Sequence, residues 1–380
     1  MYISIVGNLN RKILSLISDV ESSPQLVEIY EKLHYEGAIV RIILIGKSNL
    51  KIAEIIKQSG WHLTIVQKRG RYGSLINLPL ILLEILKFRP QVVFSSGQFA
   101  TVLGMFSAWI CLVPSRIHIR HHSSLHFRYG MKFGIVIDQI CNRFSTKIIA
   151  VSTVVREVLV GKESVPLRKI VVIPNGVDIQ KFRKSDNTSE SNTTQPRQKG
   201  VTFRIGVISR LTEWKGVEYT AKAFIKLQKE FPFTVLEIVG AFSDSYPRVT
   251  EILSEVQSKN YNLKELNTNI PQFLNEIDVF VHVPIGRDDE AFGIVYIEAL
   301  ASGTKSIFTK SGILNELEDP DLYAYIVPFR NSEEIYLNLK SLIQEKHSPK
   351  ITIPEIWIQQ YSLDKMATKY VELIIGSKNE

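Results

Sequence analysis

Cysteine is scarce: Cys111 and Cys141 are the only two in 380 residues. Both stand in apolar surroundings and neither belongs to a metal-like cluster, which excludes a disulfide framework and points to a reducing compartment. Acidic residues are thin in the first half. Residues 1–184 hold 25 Lys+Arg against 11 Asp+Glu, a net of +14; residues 185–380 hold 21 against 27, a net of −6, and the two sum to the chain's +8. No acid at all occurs between Glu84 and Asp138. Zinc-finger, RNA-recognition and helix-turn-helix patterns are missing too. The positive half is therefore expected to meet an anionic phospholipid surface or a phosphate-bearing ligand, and not nucleic acid. The chain has no dinucleotide fingerprint, Walker A loop or Gly-x-Ser-x-Gly elbow, and a lone Gly7 follows the apolar residues 2–6. Long hydrophobic runs are also absent. The longest uncharged stretch, residues 90–115, divides into a strand, a Ser-Ser-Gly turn and a helix over about 98–112, short of the roughly 20 residues a span needs. No secretory pattern opens the sequence, so the expected location is cytoplasmic, with peripheral contact to the inner face of the plasma membrane.

At 380 residues the chain exceeds what one core usually organises, so two domains are expected. Short β-rich apolar runs alternate with amphipathic stretches throughout. Strands are expected at residues 2–6, 40–45, 63–66, 91–94, 116–120 and 147–151, and again at 202–208, 234–239, 279–283 and 306–309. Helical patterns at 24–35, 51–58 and 76–87 lie between the first of them. This alternation predicts an α/β fold, with parallel sheets covered by helices on both faces. Residues 183–200, RKSDNTSESNTTQPRQKG, contain no aliphatic or aromatic side chain and read as an interdomain linker.

The richest segment is DDEAFGIVYIEALASG, residues 288–303. Glu290 and Glu298 are separated by seven residues that include a Phe292-Gly293 step and an apolar run. Gly293 suits a tight turn, and residues 294–302 read as a buried helix closed by Gly303. A loop ending at a helix N-terminus presents free amides and the positive dipole end, which favours phosphate. Glu290 precedes that terminus, whereas Glu298 lies roughly 6 Å along the helix axis at about 1.5 Å per residue. Two acceptor groups flanking a phosphate pocket suit the hydroxyls of a sugar on one side and of a ribose on the other. An unpaired carboxylate within IVYIEALA would be costly to bury, which argues against an idle Glu298.

Upstream, SRLTEWKG follows a strand and places Arg210 and Lys215 around a turn, where two cations fit a diphosphate. RIHIRHHSSLHF carries His118, His121, His122 and His126. With no local carboxylate to support a metal, a histidine at the strand end that bonds a sugar hydroxyl is favoured over a zinc site, and a purely structural row is the alternative.

These segments together resemble the family 4 glycosyltransferases, retaining nucleotide-sugar enzymes of the GT-B fold. The resemblance runs from about residue 147 to the C-terminus. It rests on IIAVSTVVREVLV (148–160), VVIPNGVDIQKF (171–182), SRLTEWKGVEY (209–219) and EAFGIVYIEALASG (290–303), in that order. It implies two Rossmann-like domains facing each other across a cleft: residues 1–184, completed by about 365–380, on the acceptor side, and 185–364 on the nucleotide-sugar side. A helix over 357–375 is expected to cross back to the first domain.

The resemblance also implies roles for particular residues. Glu290 would contact the donor sugar near its 3- and 4-hydroxyls, and Glu298 the ribose. Arg210 and Lys215 would bind the diphosphate in place of a metal, helped by amides near Gly293 and Ile294, with Phe292 on the same donor side. His121, or else His122, would lie near the donor sugar after the fifth strand, and Gly7 marks the acceptor side. Retention would follow front-face displacement, with UDP or GDP as leaving group, no metal and no other cofactor, and a glycan or lipid-linked acceptor of cell-surface polysaccharide or glycolipid synthesis. The glycine-rich loop usual after the first strand is missing, Ser209 replaces a glycine and Lys305 a proline. The alternatives are another GT-B enzyme, such as a sugar-nucleotide epimerase, and a silent GT-B scaffold.

Overall fold

The computed structural model describes residues 11–18, 20–67, 76–183, 202–240, 246–264, 269–344 and 352–376. Gly7, the strand expected at residues 2–6 and nearly all of the polar segment lie outside these. The chain divides into two compact units, Met1–Gly176 with Ser362–Glu380, and Val177–Tyr361. The division comes ahead of the polar segment because the short helix Ile179–Phe182 buries Ile179 and Phe182 within the second unit, where it packs against the helix Ile294–Ser302.

Unit 1 is built on seven parallel strands: β1 (Lys12–Ser18), β2 (Ile39–Ile45), β3 (His62–Val66), β4 (Val92–Ser96), β5 (Ser115–Arg120), β6 (Lys147–Ala150) and β7 (Ile170–Val172), ordered β3-β2-β1-β4-β5-β6-β7. Helices cover both faces, so the central strands are buried on both sides and read as nearly unbroken apolar runs, KILSLIS in β1 and IVRIILI in β2. β1 is an interior strand of this sheet, between β2 and β4, whereas the first strand expected from the sequence pattern lies ten residues earlier, at 2–6. The turn after β1 is thus the segment 19–23, which contains no glycine. Gly7 precedes the strand and is not in that turn. Ser23 caps the following helix Pro24–Tyr35, its Oγ accepting from Leu26 N at 3.2 Å.

Unit 2 repeats the scheme with six parallel strands: β8 (Phe203–Ile208), β9 (Thr234–Val239), β10 (Tyr261–Lys264), β11 (Val279–His282), β12 (Ser306–Phe308) and β13 (Tyr325–Ile326), ordered β10-β9-β8-β11-β12-β13. In each sheet the winding reverses beside the first strand, between β1 and β4 and between β8 and β11. In such sheets the carboxyl ends of the strands at that reversal open onto the ligand crevice. The last helical stretch is not one element. It breaks into Glu355–Ile358, a tight turn Gln359–Tyr361 and Leu363–Ile375, because Ser362 starts a new helix by accepting from Lys365 N at 3.3 Å. The final helix returns to unit 1 and packs on the helix Pro24–Tyr35. No helix among the described residues is long and apolar enough to cross a membrane.

Candidate active site

Within unit 2 two of the groups singled out by the sequence, Lys215 and Glu290, meet at the β8–β11 reversal, with Arg210 on the same turn as Lys215 and Glu298 on the helix that follows Glu290. β8 ends at Ile208 and the chain turns through Arg210, with Leu211 anchored in the core, into the short turn Glu213–Lys215. Gly216 sits at φ +67°, and a Cβ there would lie 1.9 Å from the carbonyl oxygen of Val283. Only glycine lets this turn press against the end of β11. Trp214 O accepts from Ile285 N at 3.1 Å, holding the two loops together.

β11 delivers His282, and the loop after it carries Glu290, only 7% exposed. Lys215 Nζ forms an ion pair with Glu290 Oε1, and His282 Nε2 lies 2.9 Å from the same oxygen. Burial would raise the Glu290 pKa, but the Lys215 ammonium and the His282 bond outweigh it and hold the carboxyl at about 2. Burial lowers the His282 pKa in spite of Glu290, so the ring is neutral. A neutral ring can bond an ionised carboxylate only through N–H, which assigns the proton to Nε2. His282 Nδ1 is then a buried acceptor with no partner among the described residues. Both contacts use Oε1, so Oε2 is engaged by neither. It is the oxygen left for a ligand hydroxyl.

A second clamp fixes the loop. Ser311 Oγ lies 2.7 Å from Gly286 O and accepts from Glu290 N at 3.1 Å. Gly312 N donates to Arg287 O at 3.1 Å, Ile313 N to Phe292 O at 2.9 Å, and Thr309 Oγ1 to Pro284 O at 2.7 Å. The segment after β12 therefore holds the Glu290 loop mainly through its backbone. Gly293 follows at φ +82°, where a Cβ would collide with the Tyr296 ring at 2.5 Å, and it opens the helix Ile294–Ser302 with no side-chain cap. Tyr296 N donates to Gly293 O at 3.0 Å, and the amides before it in the first turn, Ile294 included, are the ones placed for an anion. Phe292 is 2% exposed with its ring tilted against Tyr361, so its side chain packs in the interior and only its backbone borders the site. Glu298 is half-buried on that helix, and desolvation pushes its pKa up to about 7. The Arg210 side chain is exposed at the mouth of the turn.

Unit 1 presents His121 and His122 just past β5. His121 Nε2 is 2.9 Å from Ser96 Oγ, at the end of β4. A cavity of about 60 Å³ beside them, lined by Gly97, Thr101 and both histidines, has room for one or two waters at roughly 30 Å³ each. His118 is buried and bonded to Ser145 Oγ at 2.7 Å, a structural role. The sequence offered no acid near this cluster, yet the fold supplies one. Asp138, from the helix Lys132–Phe144, lies 2.6 Å from His126 Nδ1 and 3.4 Å from His122 Nε2. One ligand atom from each of the three lies within 4.8 Å of the others, close enough to hold a metal. Arg120 decides against that use: its guanidinium is 3.0 Å from the same Asp138 oxygen and also pairs with Glu163, so a cation would sit beside a fixed positive charge.

The residues missed from the sequence are His282, Ser311 and Gly312. A histidine ending an apolar strand and a Ser-Gly step after the next one are the only signals they leave.

Two parallel sheets, each wound in the 3-2-1-4-5-6 order with the charged groups of unit 2 at the reversal, define the GT-B architecture. The model of the glycosyl transferases group 1 matches residues 190–355, and that of glycosyltransferase family 4 matches residues 26–181. The chain belongs to this family of glycosyltransferases. It is 24% identical over 281 residues, 67% of this chain and 70% of the relative, to the UDP-Gal:alpha-D-GlcNAc-diphosphoundecaprenol alpha-1,3-galactosyltransferase of Escherichia coli. The other curated relatives are aligned over less than half of their own length. Among solved structures it resembles Anabaena Alr3699/HepE in complex with UDP and glucose, at TM-score 0.76 and 19% identity over 96% of this chain and 99% of that one. The fold is also that of the UDP-GlcNAc 2-epimerase from Neisseria meningitidis, at TM-score 0.64 and 14% identity over 96% and 100%.

Proposed function

We propose that this glycosyltransferase moves a sugar, with retention and without a metal, from a nucleoside diphosphate to a glycan or lipid-linked acceptor in cell-surface polysaccharide or glycolipid synthesis. The observation that carries the reading is the cluster of Lys215, His282 and Glu290 at the β8–β11 reversal, followed by an uncapped helix that bears Glu298. Arg210 and the first-turn amides hold the diphosphate, Glu290 Oε2 accepts a sugar hydroxyl, and Glu298 accepts from the ribose. As the bond from the anomeric carbon to the diphosphate oxygen breaks, Arg210 and Lys215 stabilise the charge that develops there. The acceptor oxygen bonds to the same face of that carbon, and its proton passes to the departing phosphate oxygen. UDP is favoured over GDP by the ligand of the Anabaena neighbour and by the donor of the Escherichia coli relative. His121 and His122 supply the donor-sugar and acceptor contacts of unit 1, and the enzyme works at the cytoplasmic face of the membrane.

A thermal-shift panel of UDP, GDP, ADP and their common sugar conjugates tests this on the native chain and on Glu298→Ala. A ligand at 100 times its dissociation constant should stabilise the protein by about 2.7 kcal/mol. One responding nucleotide, lost in the variant, supports the reading; no response from any sinks it in favour of a silent scaffold. The shared epimerase fold motivates one further control: an epimerase converts its sugar nucleotide with no acceptor present, and this enzyme should not.

A further inference from the structure

We propose that the outer face of one helical layer of unit 1 is a docking surface for an anionic phospholipid bilayer. The inference rests on the reading of a lipid-linked acceptor and names the surface that brings the enzyme to it. Three helices, Leu78–Phe88, Gln98–Ile110 and Lys132–Phe144, pack side by side over the β1–β4–β5 region of the sheet. Their inner sides carry the core residues Ile81, Ile85, Leu103 and Ala108. Their outer sides are apolar as well. Leu83 and Leu86 on the first, Trp109 on the second, and Phe133, Val136 and Ile140 on the third are 39% to 59% exposed. The spacing of the last three, i, i+3 and i+7, makes a continuous stripe. Scattered exposed apolar side chains are ordinary, but a layer whose three members all show an apolar outer side is not.

The charges around this face have one sign. Its only acids are Glu84, which pairs with Arg41 at 2.6 Å, and Asp138, which is buried in the Arg120 cluster. At one end an open groove of about 580 Å³ is lined by Trp109, Arg143, Phe144, Arg168 and Lys169. The Trp109 and Phe144 rings are in tilted contact with centroids 4.7 Å apart, joining the apolar face to this basic groove. Glu163 also borders the groove, but its carboxylate is occupied by Arg120 and Asn142. Burial and the charges of Arg116, Arg168 and Arg143 all depress the Lys169 pKa, a mark of crowded positive charge that no acid relieves. An apolar face with an indole at its edge beside a cluster of cations fits the boundary between acyl chains and anionic headgroups. A protein partner would have to match the apolar face and supply acids at the groove alone, whereas a bilayer provides both along its plane.

The test is co-sedimentation of the full chain with vesicles of phosphatidylcholine alone, or with about a third of phosphatidylglycerol, a content that provides the anionic surface potential. Binding is expected to the second and to weaken with added salt. Each cation near such a surface is worth about a fivefold change in partition, so Arg143→Ala with Arg168→Ala should lower it about 25-fold. Phe133→Ser with Ile140→Ser should weaken it at all salt concentrations. Every variant should keep its thermal shift with UDP-glucose, which shows that it is folded. Three outcomes overturn the inference: no sedimentation by a chain that does respond to UDP-glucose, variants that partition like the native chain, or a dimer in analytical ultracentrifugation that Phe133→Ser with Ile140→Ser dissociates. Charge-dependent sedimentation with no response to any nucleotide sugar would instead refute the donor reading and leave this surface standing.

Discussion

Replacing Lys215 by alanine would leave Glu290 buried with only a neutral histidine as partner. The carboxyl now ionises at about 2, against an ordinary 4.5, because Lys215 and His282 outweigh its burial. That drop corresponds to about 3 kcal/mol of stabilisation of the ionised form at 1.36 kcal/mol per tenfold change. Since the folded pKa is depressed, this contribution is present above about pH 4.5 and is lost as pH falls toward 2. In Lys215→Ala only the His282 bond is left to oppose burial, so the pKa should rise above its ordinary value, which reverses the sign. The variant should lose about 3 to 5 kcal/mol at pH 7, the usual result of breaking a buried pair. The loss should shrink toward pH 5 as Glu290 takes up a proton. Lys215→Ala with Glu290→Gln, which removes the stranded charge, should recover much of the stability and none of the turnover. Urea unfolding of the three proteins at pH 5 and pH 7 measures this cycle. A loss below about 1 kcal/mol at pH 7, typical of an exposed pair, or a double variant no more stable than the single one, would refute the argument.

Arg210→Ala should leave stability within about 0.5 kcal/mol, since the Arg210 side chain is exposed, yet turnover should fall about 100- to 1,000-fold; parallel melting and initial-rate measurements separate the two. Glu298 ionises at about 7, so the stability it confers as a neutral acid is complete below about pH 4.5 and is lost as pH rises through 7. Glu298→Gln should flatten that part of the melting-temperature profile and raise stability at pH 8 while weakening nucleotide binding. At Gly216 the Cβ of an alanine would meet Val283 O at 1.9 Å, and the clash together with a positive φ should cost more than about 1 kcal/mol and loosen the Glu290 loop. An unchanged melting temperature in Gly216→Ala would contradict that close approach.

Much of the fold was legible in the chain itself, because strands buried on both faces must be apolar runs and the helices between them must be amphipathic. The helices at 24–35 and 51–58 and the strand at 234–239 have the limits their patterns indicate. β1 escaped because KILSLIS, with two serines, a lysine and its apolar residues at mixed spacings, looks less like a strand than the run at 2–6. Its burial comes from β2 and β4 on either side, and neither adjoins it in sequence. β7, β10 and β13 are two to four residues long, too short to show a period.

The site divides in the same way. Glu290, Gly293 and Glu298 belong to one loop and helix, and Arg210 and Lys215 to one turn, so local spacing was enough to mark them. Pairings are not local. Lys215 meets Glu290 across 75 positions, and Ser311 holds the amide of Glu290 from 21 positions away. Asp138 reaches His122 and His126 only because a helix folds back over the end of β5. The sequence by itself determined which groups carry charge and which backbone positions must be glycine, since those follow from residue chemistry and sterics at single positions. Tertiary structure alone decided which charges neutralise each other, which oxygen of Glu290 remains open and which pKa values move. Each of these depends on burial and on distances of a few ångströms between segments that packing within each unit brings together.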